Sequence, residues 1–169
     1  DDGSVYFLKL NEEDLNKKFI YFSYIMNAPQ GSTLTGGLPS AGKVYEFRSF
    51  KKDKIGLYQI NTSYIKGDES NNIAKSSITN ITEAFVEVFK PTAKTDGSVL
   101  INLNSIILSE KMDSISYVPS EYREYISVDY GRQDDAKTFV KNVYNNDTNT
   151  AFEVTFAFEN FTPNPNAYS

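Results

Sequence analysis

The sequence contains no histidine, no cysteine and no tryptophan. Without imidazole or thiolate, this chain has no Ser-His-Asp triad, no cysteine nucleophile, no His-Cys zinc site and no disulfide framework. Long apolar runs are missing as well. Ile106-Ile107-Leu108 is among the longest, far below the ~20 residues that a membrane-spanning helix requires. Positive charge is in short supply: 17 Lys and Arg stand against 22 Asp and Glu, for a net charge of −5 and a pI near 4.8. The basic residues are scattered rather than gathered into runs. Nucleic acid is therefore not an expected partner, because that affinity rests on a basic footprint against phosphate.

What remains is a globular composition, 40% hydrophobic and 23% charged, with 12 Tyr and 12 Phe among 169 residues. A chain of this length buries about 70% of its unfolded surface as one domain. We expect a single β-rich domain over residues 1–160, with 161–169 as the start of a linker or tail, because Phe161-Thr162-Pro163-Asn164-Pro165-Asn166 reads as the end of compact structure. The chain opens on Asp1-Asp2-Gly3, which we read as a processed protein or a piece of a larger one.

Period-2 alternation sets the fold class. Val5 to Leu10 and Lys18 to Met26 read as the first two strands, rich in aromatic and β-branched residues. Between them, Asn11-Glu12-Glu13-Asp14-Leu15 offers an Asn N-cap and an acidic first turn, the signature of one helical turn. Lys43 to Phe50 and Ile55 to Ile65 form a hairpin around Lys52-Asp53-Lys54. Glu83 to Phe89 is a strand closed by Pro91, and Asp96-Gly97 turns the chain into Ser98 to Leu103 as a second hairpin. Short helices are expected at Ser105 to Leu108 and at Ser120 to Tyr125. Lys137 to Tyr144 and Thr150 to Glu159 are strands joined by the tight loop Asn145 to Asn149. The predicted fold is mainly β, with antiparallel sheets in a sandwich-like or α+β arrangement and two or three short helices.

Several residue groups invite a functional reading, each beside a plainer one. Tyr21, Tyr24, Tyr45, Tyr58 and Tyr64 suggest a platform for sugar or peptide, but aromatics on alternating strands usually pack a core. Asp129, Asp134 and Asp135, or Asn145 to Asn149, offer oxygen ligands for Ca²⁺, yet neither run has EF-hand spacing and surface turns are the better reading. Asp68-Glu69 and Glu121 with Glu124 are read as solvated charge rather than as an acid and base pair. No catalytic residue and no metal ligand is assigned. The loop Asn27 to Gly42, with Gly31, Thr35, Gly36 and Gly37, is long for a compact domain and is our candidate interaction loop. Thr150 to Glu159 carries Phe152, Val154, Phe156 and Phe158 on one face. It reads as an internal strand, or as a site of β-augmentation if it lies at an edge.

The order of these segments resembles the non-catalytic N-terminal domain of unknown function of bacterial, Bacteroidetes-type zinc-dependent metalloproteases. The resemblance rests on Val5-Tyr6-Phe7, Glu13-Asp14-Leu15 and Lys18-Phe19-Ile20-Tyr21, then on Gly36-Gly37 followed by Val44-Tyr45-Glu46-Phe47-Arg48. It continues through Gly97 to Ser105, Asp135 to Val140 and Asn149 to Phe156, spanning roughly residues 3 to 158. The chain departs from the family pattern at Lys137-Thr138, where the family has Arg-Ser, and at Asn102 and Asn104, where it has Asp. The resemblance implies an accessory domain of a secreted, periplasmic or cell-surface protease, contacting the catalytic domain of the same polypeptide or a peptide or protein substrate. It also implies zinc in a downstream His-Glu-x-x-His domain, since this chain has no histidine to hold it. The alternative reading is a free-standing extracellular β-rich binding module for peptide or glycan.

Overall fold

The computed structural model describes residues 4–27, 37, 39–62, 83–112, 128–129, 132–159 and 162–163. The chain is mainly β, with antiparallel pairing throughout, and it divides into two compact units. One unit comprises Phe7–Phe22 and Ala41–Asn102; the other comprises Asp1–Tyr6, Ser23–Ser40 and Leu103–Ser169.

The first unit holds a three-stranded and a four-stranded sheet. In the smaller sheet, β1 (Phe7–Asn11) pairs with β7 (Ser98–Asn102), which pairs with β6 (Ala93–Thr95). The larger sheet runs in the order β2 (Lys18–Tyr21), β3 (Lys43–Phe50), β4 (Lys54–Ile60), β5 (Ala84–Phe89). Between β1 and β2 lies the predicted turn, a 3-10 segment at Glu12–Asp14. The Asp14 carboxylate accepts from the backbone N–H of Asn11 (3.1 Å) and from its side-chain amide (2.9 Å), which satisfies donors that a helix start otherwise leaves bare.

The β3–β4 hairpin forms as its alternation predicts, and its turn places Lys51 (φ 49°) and Asp53 (φ 68°) in the left-handed region. The second hairpin differs from the sequence reading. Ser98–Asn102 folds back onto the short strand Ala93–Thr95 through Asp96-Gly97, with Gly97 at φ 69°, while Ala84–Phe89 pairs with β4. Pro91 has no N–H to donate to a ladder, so the chain leaves one sheet there and starts the other.

The core of this unit comes from alternate positions. Tyr45 and Phe47 on β3, Ile55 and Leu57 on β4, and Phe89 on β5 are buried, as are Leu10 and Ile101 of the smaller sheet. Phe19 stacks on Phe47 (5.3 Å between ring centres) and on Tyr45 (6.0 Å), and Phe47 tilts against Phe89 (6.1 Å). Three tethers fix the connecting segments: the Asn16 N–H donates to Phe47 O (2.8 Å), the Glu12 N–H to Gly97 O (3.0 Å), and Lys94 pairs with Asp53 (2.6 Å).

In the second unit, α1 (Asn104–Ile107) and a 3-10 turn (Glu110–Met112) bury Ile106 and Met112. Asn104 holds the incoming chain with both ends of its amide, accepting from the Tyr6 N–H (2.9 Å) and donating to Ser4 O (3.0 Å). The helix expected at Ser120 to Tyr125 lies outside the described residues. A short pair joins β8 (Val128–Asp129) to β11 (Thr162–Pro163).

The hairpin β9 (Phe139–Asn145) and β10 (Thr150–Thr155) carries a bulge at Glu153/Val154. β10 is shorter than its alternation suggests, and among the described residues β9 is its one strand partner. Phe152 and Val154 on it are half-buried. At the bulge, Glu153 gathers both Lys141 (2.6 Å) and Asn142 (2.6 Å).

Candidate functional site

Alternation gives the four-stranded sheet two different faces. One is the core just described. Register places Ile20, Val44 and Ile60 side by side on the other, then Lys18, Glu46, Tyr58 and Phe85 in the next row, then Arg48 beside Gly56. This second face is partly open to solvent: Ile20 is 72% exposed and Phe85 45%. Phe22, just beyond β2, is exposed as well.

Arg48 organises the face. Its guanidinium donates to both carboxylate oxygens of Glu83 and, through Nε, to Glu46 (2.7 Å), while its central carbon lies 4.9 Å from the centre of the Tyr58 ring. The hydrogen bonds to Glu83, and then those to Glu46, hold the guanidinium pKa above its ordinary value. Glu46 is only 6% exposed, a depth at which a carboxylate needs a cationic partner. The fork geometry of arginine lets one guanidinium donate to this carboxylate and to Glu83 together.

The aromatic shelf beside this cluster depends on Gly56. Tyr58 and Phe85 meet edge-on at 4.9 Å, and Phe85 packs against Phe50 at 5.0 Å. A Cβ at Gly56 would stand 2.8 Å from the Tyr58 ring and 2.9 Å from the Phe85 ring. The missing side chain is what lets both rings lie down on the strand. At the end of the same strands an open recess of about 360 Å³ is bordered by Lys43, Val44, Gln59, Asn61 and Thr62.

The residues singled out from sequence fall in different places. Tyr45 is fully buried, and Tyr21 stands edge-on to it at 5.9 Å, whereas Tyr58 belongs to the opposite face of the sheet. Tyr24 is exposed in the other unit. Tyr64, Asp68, Glu69, Glu121 and Glu124 lie outside the described residues. Tyr21 and Tyr45 therefore share no platform with Tyr58.

In the candidate loop, Gly31, Thr35 and Gly36 lie outside the described residues, while Gly37 is exposed at φ 86°. Its flanks pair. The Ser40 N–H donates to Ser23 O (2.6 Å), the Ser23 N–H to Ser40 Oγ (2.8 Å), and the Gly37 N–H to Ile25 O (2.7 Å), beside a bridge between Tyr24 and Pro39.

The oxygen-rich turns serve the backbone. Asn146 Oδ1 accepts from the Thr148 N–H, the Thr148 hydroxyl and the Asn149 N–H at 2.9 to 3.0 Å. Asp134 accepts from the Ala136 N–H (3.1 Å) and from Lys137 (2.5 Å), and Asp135 accepts from Gln133 (3.1 Å). Among the described residues no three His, Cys, Asp or Glu side chains group closely enough to hold a metal ion.

Compared with protein-family models, curated proteins and solved structures, the chain finds no match in any of the three.

Proposed function

We propose that this chain is the non-catalytic accessory domain of a secreted or periplasmic zinc-dependent metalloprotease, and that it holds a polypeptide partner on the outer face of its four-stranded sheet. The family reading rests on the segment order described above. The surface reading rests on one observation: Ile20 and Phe85 stand exposed on a sheet face whose Arg48 is already engaged by two carboxylates. Exposed apolar and aromatic side chains bordered by polar groups already paired within the sheet match the apolar centre and polar rim of a protein interface. The partner is the catalytic domain of the same polypeptide or its protein substrate, and zinc belongs to that other domain.

Two measurements test this. Intact mass and peptide mapping of the native protein are expected to show a longer species that carries a His-Glu-x-x-His segment; a mature product ending near Ser169 would favour a free-standing binding module. Ile20→Glu combined with Phe22→Glu is expected to weaken association with the catalytic segment at least about tenfold, equivalent to ~1.4 kcal/mol. Both side chains are exposed, so the melting temperature should hold nearly constant. Unchanged association would remove this face from the proposal.

A further inference from the structure

We draw no further inference here: the strongest candidate, the exposed apolar side of the four-stranded sheet around Ile20, Tyr58 and Phe85, belongs to the site already described, and nothing in the structure shows what else covers it.

Discussion

Gly56 and Arg48 are adjacent in register, and each answers a different physical demand. At Gly56 the demand is space. Gly56→Ala drives a methyl group against two ring edges; Phe85 is 45% exposed and its ring can give way, so the cost is about 1 kcal/mol, the low end for overpacking. A urea melt should show a lower midpoint with an unchanged slope. At Arg48 the demand is charge. Arg48→Met leaves Glu46 nearly buried without its cation, and we expect a loss of about 1–3 kcal/mol, below the range for fully buried pairs because the guanidinium is partly solvated. Adding Glu46→Gln should restore part of that loss. A double-mutant cycle measures the recovery, and strictly additive effects would show that the two side chains do not depend on each other. Sequence alternation reveals that Glu46 and Arg48 share a face. It gives no sign of Glu83, which lies 35 residues further along the chain and reaches Arg48 only through the pairing of β3, β4 and β5.

Among the elements, legibility followed length and local chemistry. The β3–β4 hairpin announces itself through alternation on both sides of a polar turn, and Asn11 with Asp14 marks the 3-10 segment. Ala93–Thr95 carries no such mark, because three exposed residues are too few for a period and their strand character comes from the partner Ser98–Asn102. The bulge at Glu153/Val154 is equally silent in a sequence that alternates straight through it. Thr138 shows the same kind of hidden dependence. It is 1% exposed, and its hydroxyl donates to Asp134 O (2.9 Å) while accepting from the Ala157 N–H (3.2 Å). Thr138→Val keeps the shape and deletes both bonds, so we expect about 1–3 kcal/mol of destabilisation. Hydrogen exchange at the Ala157 amide should accelerate more than exchange in β3; equal acceleration in both would argue against a local role for this hydroxyl.

At the scale of the whole molecule, three paired carboxylates among the described residues contribute to the response to acid. A backbone hydrogen bond from Asn11 holds Asp14 below its ordinary value, Lys137 does the same for Asp134, and Lys141 for Glu153. Groups depressed in the folded state add stability that is complete above the unfolded carboxylate pKa, near about 4, and is lost as the pH falls through the folded values. The melting temperature should therefore fall on acidification below about pH 4, and Glu153→Gln should make that fall shallower. An identical slope in the variant would show that Glu153 carries no linkage. The fold class was legible at this scale because alternation survives in most strands. The candidate face was not, because it depends on which strands are neighbours. The engagement of Arg48 by Glu46 and Glu83 has one more consequence, in entropy. An unrestrained interfacial side chain costs about 0.5–1.5 kcal/mol to immobilise when a partner arrives. Arg48 has lost that freedom when the chain folds, so a partner of the kind proposed would meet a side chain already set.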